Sequence, residues 1–348
     1  MSDAYLQINN LKTHFPVEKG ILFRKVTGTV KAVDGVSLQL AKGEVLGLVG
    51  ESGCGKSVSV HSIMGLIPMP PGRITQGSAT LGGVDILGKK TIDGEDIRGS
   101  KVGMIFQDPM TSLNPTMTIG DQIAETLQVH RGFSHAQAFA RAIELINMVR
   151  IPDASQRAQQ YPFQFSGGML QRSMIAMAIA CGPSLLIADE PTTALDVTIQ
   201  AQILDMMGDL QRDSGMAIIL ITHDLGVVAR MADDVVVMYA GEIIEKGTVD
   251  DVFYRSSHPY TLGLKEAMPS NVVDASRELK PIAGSPPDLF APPVGCGYFS
   301  RCPFAMRVCE VNRPDRFAIE PHHYANCWLH HPNASATATR VFDNKRAS

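Results

Sequence analysis

The sequence predicts an α/β protein built around a parallel sheet, and two observations support this fold class. Short apolar runs that are typical of buried strands occur at 45–49, 102–106, 185–188, 217–221 and 235–238. Helix-like stretches separate several of these runs, and alternation of strands and helices favours a parallel sheet. The 348 residues are 45% hydrophobic and 19% charged. A chain of this length forms about two domains with a sizeable core.

The stretches between the strand-like runs predict the remaining elements. A helix is expected from Val58 to Leu66, and another around 199–210, where apolar residues recur at helical spacing. Residues 121–160 lack strand-like runs, so we expect a helical insertion, with a helical subdomain at about 115–180. Beyond residue 255 prolines interrupt regular structure. We therefore expect a first domain at 1–255, a small irregular Cys/Pro-rich domain at 256–333 and a frayed polar tail at 334–348.

Composition and charge exclude several classes of protein. There are 31 Lys+Arg against 35 Asp+Glu, for a net charge of -4, which removes the electrostatic reason to expect a nucleic acid partner. The uncharged apolar stretch 174–188 is interrupted by Gly182-Pro183 and is shorter than the ~20 residues that span a bilayer. The first five residues have no basic or apolar signal region. We expect neither a secreted nor an integral membrane protein, and no disulfide framework among its cysteines.

A phosphate-binding motif, G-x-x-x-x-G-K-[ST], occupies residues 50–57, between the first predicted strand and the helix at Val58. Its glycines let backbone N–H groups converge on phosphate oxygens, and the helix N-terminus adds partial positive charge. Lys56 would reach the β- and γ-phosphates of a nucleotide, and the Ser57 hydroxyl would ligate Mg²⁺. The Cys54 side chain stands at a variable position, and we expect it to be a bystander. The predicted nucleotide contacts of this loop are Gly50, Ser52, Gly53, Cys54, Gly55, Lys56, Ser57 and Val58.

Two carboxylates, Asp189 and Glu190, follow the predicted strand 185–188. Open α/β sheets place ligands at the carboxyl ends of their strands. Asp189 would therefore hold Mg²⁺, and Glu190 would act as the general base for an attacking water. Alone, two acidic residues after a strand usually mark only a turn, but together with the phosphate loop they predict a nucleotide-hydrolysing site.

The order and spacing of five further motifs resemble the ATP-binding cassette (ABC) ATPases over roughly residues 5–250. The resemblance implies a phosphate-loop ABC cassette with a helical subdomain. Met169 departs from the commonest form of the signature motif, but Ser166 and the two glycines that contact phosphate are present. The motifs are an aromatic residue for adenine at Phe15, a Q-loop glutamine at Gln107, a signature motif with Ser166, Gly167 and Gly168, a D-loop at 191–196 ending in Asp196, and a switch histidine at His223.

The resemblance also implies roles for these residues. Glu190, His223 and Gln107 would be catalytic, and Mg²⁺ would be held through Ser57, Gln107 and Asp189. ATP would lie between the phosphate loop of one cassette and the signature motif of a second one. ATP binding would then close a dimer and hydrolysis would reopen it. The further ATP contacts implied are Phe15, Gln107, Ser166, Gly167, Gly168, Asp196 and His223.

Three segments resemble the dipeptide/oligopeptide importer group of ABC ATPases, in particular its D-type subunit. They are residues 107–115 around the Q-loop, Tyr161-Pro162 before the signature motif, and His258-Pro259-Tyr260-Thr261. The resemblance implies a second, paralogous ATPase subunit, two transmembrane permease subunits and, indirectly, a periplasmic or extracellular substrate-binding protein. It places the chain peripherally on the cytoplasmic face of the bacterial inner membrane.

Four of the six cysteines, Cys296, Cys302, Cys309 and Cys327, lie close together near the C-terminus. Four thiolates can hold a [4Fe–4S] cluster or build a tetrahedral Zn²⁺ site. The absence of a C-x2-C pair weakens the zinc hypothesis, and some members of the importer group carry a [4Fe–4S] cluster, so we favour the cluster. The alternative without a metal is four buried free thiols.

Other functions remain open from the sequence alone. The same importer type would serve for nickel, an opine or an oligosaccharide, because other subunits choose the cargo. A soluble ABC ATPase that acts on DNA or ribosomes is a further alternative. Against it, no sustained heptads occur between the phosphate loop and the signature motif, and only one cassette is present.

Overall fold

The computed structural model describes residues 4–20, 25–87, 97–193, 195–268, 281–334 and 341–342. The D-loop residue Ala194, the proline at 269 and most of the predicted tail lie outside these residues. The strands are β1 (Ala4–Lys19), β2 (Lys25–Ala41), β3 (Val45–Val49), β4 (Arg73–Leu81), β5 (Val84–Asp85), β6 (Val102–Ile105), β7 (Leu185–Asp189), β8 (Ala217–Thr222), β9 (Asp234–Tyr239), β10 (Glu242–Thr248), β11 (Phe317–Glu320) and β12 (His323–Ala325).

Helices occur in the three stretches where the sequence predicts them, at 58–66, 121–160 and 199–210, and also at positions that it did not predict. They are α1 (Lys56–Ile63), α2 (Pro109–Ser112), α3 (Ile119–Arg131), α4 (His135–Met148), α5 (Ala154–Arg157), α6 (Gly167–Ile179), α7 (Val197–Ser214), α8 (Leu225–Met231), α9 (Val249–Tyr254), α10 (Pro259–Glu266) and α11 (Arg307–Val311). Among the described residues, no helix combines the length and apolar character that a bilayer crossing requires.

The chain divides into two compact units. The first comprises Met1–Asp3, Leu40–Val45 and Gly88–Ile221. The second comprises Ala4–Gln39, Leu46–Leu87 and Thr222–Ser348, so it contains both the phosphate loop and the cysteine-rich segment.

In the first unit, strands β6, β7 and β8 pair in parallel, in the order β8-β7-β6. Strands β7 and β8 are buried along their whole lengths, as their uninterrupted apolar runs predict for a parallel sheet. The predicted helical insertion is present as α3, α4 and α5, and Ser134 begins α4 with a capping box that includes Gln137. The parallel pairing sets the carboxyl ends of β6 and β7 side by side.

In the second unit, β3 pairs in parallel with β9, and β10 and β12 extend the sheet in antiparallel fashion. The order of these strands is β11-β12-β10-β9-β3. A separate antiparallel sheet has the order β2-β1-β4-β5. The sequence did not predict this second sheet, because β1 and β4 alternate buried and exposed positions instead of forming continuous apolar runs.

The segment after residue 255 is less irregular than its prolines suggest. It contains α10 and α11 and the strand pair β11–β12, and β12 pairs with β10. A cluster of buried side chains joins Leu262, Cys327 and Leu329 to Val341 and Phe342, two residues of the predicted polar tail. These two residues are therefore packed rather than frayed.

Candidate functional site

The phosphate loop follows β3 in the second unit and turns through three glycines with left-handed φ angles. These are Gly50 (φ 155), Gly53 (φ 80) and Gly55 (φ 102). At Gly50 a Cβ atom would lie 2.3 Å from the Met238 carbonyl oxygen, and at Gly55 2.3 Å from the Ala32 carbonyl oxygen. A side chain at either position would displace backbone, so only glycine allows this path of the loop.

Lys56 lies at the centre of the loop and is only 4% exposed. Its ammonium group donates to the carbonyl oxygens of Gly50 at 2.8 Å and Glu51 at 3.0 Å, and lies 3.9 Å from Cys54 Sγ. Carbonyl dipoles hold the ammonium in place without neutralising its charge. A buried charge is costly unless an opposite charge meets it, so this position fits an anionic ligand such as a nucleotide phosphate.

Helix α1 begins at Lys56, directly behind the loop. Its N-cap is Gly55, which has no side chain to bond the first N–H groups of the helix. These donors and the helix dipole favour an anion at this end. Ser57 and Val58 are partly buried in the first turn, whereas Ser52 and Gly53 are exposed at the outer side of the loop. The loop and the start of α1 thus present the donors that a phosphate group would need.

Glu190 and Gln107 meet in the first unit, at the carboxyl ends of the neighbouring strands β7 and β6. The side-chain amide of Gln107 donates to Glu190 Oε2 at 2.9 Å, and the Thr193 hydroxyl donates to the same oxygen at 3.0 Å. Asp189, the last residue of β7, is 5% exposed. The parallel register therefore brings Gln107 to Glu190, which lies 83 positions away in the sequence.

The backbone of Glu190 lies in the left-handed region, with φ 48. A residue with a side chain adopts this conformation at a cost, and such strain is concentrated at functional sites. The Glu190 N–H donates to the Ile221 carbonyl at 2.9 Å, which fixes the turn after β7. Sequence alone gave no sign of this conformation.

The signature motif forms the N-terminus of α6, also in the first unit. Ser166 is the N-cap, and its hydroxyl accepts a hydrogen bond from the Met169 N–H at 3.4 Å. Gly168 faces Ile199, whose Cγ2 would lie 2.9 Å from a Cβ at this position. Asp196 caps α7 in the same manner, since its carboxylate accepts from the Ile199 N–H at 2.9 Å. Ser166, Gly167 and Asp196 are exposed.

The two remaining predicted nucleotide contacts lie in the second unit with the phosphate loop. His223 directly follows β8 and is exposed. Phe15 lies on β1 and is half-buried, next to Gly72, where a Cβ would come within 3.0 Å of the Phe15 ring. The predicted site residues thus fall into one set in each unit.

The four C-terminal cysteines line one small cavity, with a volume of about 10 Å³. Burial raises the pKa of Cys296 to about 11, with Cys309 adding to the effect, and raises the pKa of Cys302 to about 12. The pKa of Cys327 is also raised, by burial and by the other three cysteines. The remaining walls are formed by His258, Pro259, Tyr298, Phe299, Phe304, Trp328 and Leu329.

This donor set fits a group that supplies positive charge to several thiolates at once. Burial raises the pKa of Cys296, Cys302 and Cys327, and a cation at the cavity would favour their thiolate forms. Within the described part of the chain, however, no three His, Cys, Asp or Glu side chains are arranged around a single metal ion. This arrangement gives no direct support to either expected group, the Zn²⁺ ion or the [4Fe–4S] cluster.

Sequence reasoning missed two residues that contact the phosphate loop. Arg301 forms a two-pronged ion pair with Glu51, and the Tyr260 hydroxyl accepts a hydrogen bond from the Glu51 N–H at 2.8 Å. Tyr260 belongs to the segment His258-Pro259-Tyr260-Thr261, which the sequence analysis used only for its resemblance to a family. Arg301 lies 250 positions from Glu51, so no local pattern could have shown this contact.

Comparison with known protein families finds two matches along the chain. Residues 33–193 match the family described as ABC transporter. Residues 244–309 match the family described as the C-terminal region of oligopeptide/dipeptide transporters. The two matched ranges contain the phosphate loop and three of the four clustered cysteines, respectively.

Individual proteins are similar over most of the chain. The oligopeptide transport ATP-binding protein OppD of Bacillus subtilis is 52% identical over 314 residues, which cover 90% of this chain and 88% of that protein. The dipeptide transport ATP-binding protein DppD of the same organism is 51% identical over 309 residues, covering 89% and 92%. The OppD of Salmonella typhimurium is 46% identical over 327 residues, covering 94% of each.

Solved structures with the same fold are dimeric cassettes. The ATP-binding cassette MJ0796, in a post-hydrolysis state bound to ADP and Pi, superposes with a TM-score of 0.60 at 25% identity. The match covers 70% of this chain and 98% of that one. A second structure of the same cassette, described as dimeric, gives a TM-score of 0.58.

Proposed function

Because this chain belongs to the ATP-binding subunits of oligopeptide and dipeptide ABC importers, we propose that it uses ATP hydrolysis to drive di- and oligopeptides through membrane permease subunits. The observation that carries the proposal is the buried Lys56 ammonium, held by loop carbonyls behind β3 and ready for a phosphate. Its carbonyl partners keep the charge in place before the nucleotide arrives, so little reorganisation is needed on binding.

Hydrolysis in this proposal depends on Glu190 as the general base. Gln107 and Thr193 fix the rotation of its carboxylate, so that it can take a proton from an attacking water. His223 would contact the γ-phosphate, and Phe15 would stack on adenine. Mg²⁺ would be held by the residues predicted from the sequence, Ser57, Asp189 and Gln107, and when bound it offsets the charge of the phosphates.

The site requires a second cassette. Ser166, Gly167 and Gly168, at the N-terminus of α6, would bind the γ-phosphate of ATP held by the partner's phosphate loop, and Asp196 would complete the contact. ATP would thus close a dimer and its hydrolysis would release it. We propose that the partner is a paralogous ATPase subunit. The exposure of Ser166 and Asp196 supports a role across an interface.

We further propose a location and a domain arrangement. The dimer would lie peripherally on the cytoplasmic face of the inner membrane, beneath two permease subunits. A periplasmic or extracellular protein would deliver the peptide to these subunits. The cassette would occupy residues 1–255, with its helical subdomain at about 115–180. The importer-type C-terminal domain would occupy 256–333, ahead of the segment 334–348.

The cavity of Cys296, Cys302, Cys309 and Cys327 would hold a [4Fe–4S] cluster. Four cysteines are the ligand set that such a cluster uses, and these four line one cavity. When bound, the cluster would supply the positive charge that lets these buried thiols ionise. Its role would be structural or redox-sensing and not part of peptide transport.

The transport proposal is tested by reconstitution. The chain, its paralogous ATPase partner and the two permeases would be placed in liposomes with the binding protein, and uptake of a labelled dipeptide would be measured with and without ATP. We expect ATP-dependent uptake that stops with Glu190→Gln. Uptake of nickel, an opine or an oligosaccharide in place of peptides would contradict the proposed cargo.

The cluster proposal is tested by anaerobic purification of the full chain. We expect brown protein with an absorbance band near 400 nm and about four irons per chain. Cys181→Ala serves as a matched control, because Cys181 is also a buried free thiol but lies outside the cavity. Colourless protein with stoichiometric zinc would refute the cluster.

A further inference from the structure

Glu51, the first variable residue of the phosphate loop, is fixed from two sides by the segment after residue 255. Its carboxylate oxygens accept from both terminal nitrogens of Arg301, at 2.6 Å and 2.9 Å. Its backbone N–H donates to the Tyr260 hydroxyl at 2.8 Å. Two-pronged arginine–carboxylate pairs restrict orientation as well as distance. These contacts therefore hold the side chain of Glu51 and the peptide group between Gly50 and Glu51.

Arg301 is itself rigidly placed. Its side chain is 3% exposed, and its Nε donates to the Ala283 carbonyl at 3.0 Å. One terminal nitrogen also donates to the Tyr239 hydroxyl at 3.2 Å, and the guanidinium lies 5.8 Å from the centre of the Tyr239 ring. A guanidinium with this many partners loses little further freedom when it binds a carboxylate. The ion pair is thus a fixed contact and not a loose surface pair.

Tyr260 is fully buried in a group of three aromatic rings. Its ring centre lies 4.6 Å from that of Tyr239 and 5.4 Å from that of Tyr298, and the last two are 5.3 Å apart. Edge-on and tilted packing of this kind fixes ring orientation. The hydroxyl of Tyr260 therefore cannot follow the loop if the loop moves.

These contacts bear directly on the phosphate-binding lysine. The Glu51 carbonyl oxygen is one of the two acceptors that hold the Lys56 ammonium, at 3.0 Å. The other acceptor is the Gly50 carbonyl oxygen, at 2.8 Å, and it belongs to the same peptide group as the Glu51 N–H that Tyr260 accepts. Holding Glu51 by its side chain and its N–H thus restrains both carbonyl groups that set the position of Lys56.

We propose that Arg301 and Tyr260 are positioning residues of the nucleotide site, which act through Glu51 to keep the phosphate loop and Lys56 in the arrangement that receives ATP. The inference rests on the proposed function of this loop as the ATP site. It gives a role to the segment His258-Pro259-Tyr260-Thr261, through Tyr260, and to Arg301, which precedes Cys302. Neither residue touches the nucleotide.

The test measures nucleotide affinity of the full chain by fluorescence titration with Mg²⁺ and an ATP analogue that carries N-methylanthraniloyl on its ribose. Arg301→Met keeps an unbranched aliphatic side chain and removes the guanidinium group. Glu51→Gln keeps the shape of the side chain and removes its negative charge. We expect each to raise Kd by about tenfold. Arg313→Met is the matched control, because Arg313 belongs to the same segment but pairs with Glu242 and Asp34. Its Kd should equal that of the wild type.

The double variant Arg301→Met with Glu51→Gln distinguishes positioning from general damage. If the two residues act as one unit, the double variant should bind about as weakly as either single variant. Arg301→Lys keeps the positive charge but lacks the two terminal nitrogens that bind both carboxylate oxygens. Its Kd should lie between those of the wild type and Arg301→Met. Tyr260→Phe should weaken binding by about threefold, whereas Tyr254→Phe, at an exposed tyrosine, should not. Thermal unfolding shows which variants remain folded.

Wild-type affinity in folded Arg301→Met and Glu51→Gln would overturn the proposal. Additive losses in the double variant would also overturn it, because each residue would then act alone. If Arg301→Met does not fold, the nucleotide affinities of Glu51→Gln and Arg301→Lys test the proposal instead. Glu51→Gln should fold, because Glu51 lies in a loop and is partly exposed. Equal binding by the wild type and Lys56→Ala would instead overturn the proposed function, because the loop would then not be the ATP site.

Discussion

Gln107 donates through its side-chain amide to Glu190 Oε2 at 2.9 Å, a contact between the carboxyl ends of two neighbouring parallel strands. The Thr193 hydroxyl binds the same oxygen at 3.0 Å. With two donors on one oxygen, the carboxylate has a defined rotation. The left-handed backbone of Glu190 adds to this constraint. Two of the three residues that the sequence assigned to catalysis are therefore joined in the structure.

Glu190→Gln should abolish ATP hydrolysis and preserve ATP binding. The amide cannot take a proton from water, and loss of a general base typically costs 10²–10⁴-fold in rate, so we expect kcat to fall by about a thousandfold. Phosphate release and nucleotide affinity would be measured on the complex with its partner ATPase. Glu144→Gln is the control, because Glu144 is an exposed carboxylate that pairs with Arg141. Full turnover in Glu190→Gln would refute the assignment of the base.

Lys56→Ala should remove nucleotide binding. The substitution deletes the buried cation that the loop carbonyls hold, and a charged hydrogen bond of this kind contributes about 1.5–3 kcal/mol, so Kd should rise by at least tenfold. Calorimetric titration with Mg²⁺ and ATP measures the effect. Lys42→Ala, at an exposed lysine, should bind as the wild type does. Undiminished affinity in Lys56→Ala would contradict the phosphate site.

Replacing a clustered cysteine should destabilise the second unit. Cys309→Ser would remove one proposed ligand, and the remaining buried thiols would lose the charge that lets them ionise. We expect loss of the absorbance near 400 nm and a fall in Tm by several degrees, about 4 °C for each kcal/mol lost. Cys181→Ser, a buried cysteine of the first unit, should keep the absorbance. A Cys309→Ser protein with unchanged absorbance and Tm would contradict the cluster.

Asp251→Asn should lower stability at neutral pH and have little effect in acid. Burial opposes ionisation of Asp251, but bonds from Arg255 and Thr248 outweigh it and lower the pKa below 3.8. The ionised carboxylate therefore stabilises the fold above pH 3.8, and this contribution is lost as the pH falls through the folded-state pKa. At pH 7 the variant should lose about 1 kcal/mol through the weakened capping box of α9.

Denaturant unfolding at pH 7 and at pH 3 measures this difference. Asp250→Asn changes the neighbouring exposed carboxylate in the same helical turn and should leave the free energy of unfolding nearly unchanged. An Asp251→Asn deficit that is as large at pH 3 as at pH 7 would show that the charge of the carboxylate is not responsible.

The sequence predicted the buried strands well because the side chains on both of their faces lie in the protein interior and are therefore apolar. The runs at 45–49, 185–188 and 217–221 correspond to strands β3, β7 and β8 within one residue at each end. Strands β1 and β4 escaped detection because each buries only one face, and their polar positions interrupt any apolar run. A search for period-two alternation would have found part of this sheet.

The functional motifs were predictable for a similar reason. The phosphate loop, Ser166 and Asp196 carry their chemistry in a few consecutive residues around a helix N-terminus. The left-handed turn at Glu190 was not predictable, because glutamate has no preference for that conformation. The pairing of Glu51 with Arg301 depends on how distant segments pack, which no local pattern records.

The ion pair between Glu51 and Arg301 sets a limit on how this chain can be cut or recombined. Truncation after residue 255, at the apparent end of the cassette, would leave Glu51 without Arg301 and Tyr260. Chimeras that join this cassette to the tail of a related subunit would need a compatible pair at these positions. An engineered minimal cassette would therefore fail at its phosphate loop and not at its cut end, and only restoring the partners of Glu51 would cure the defect.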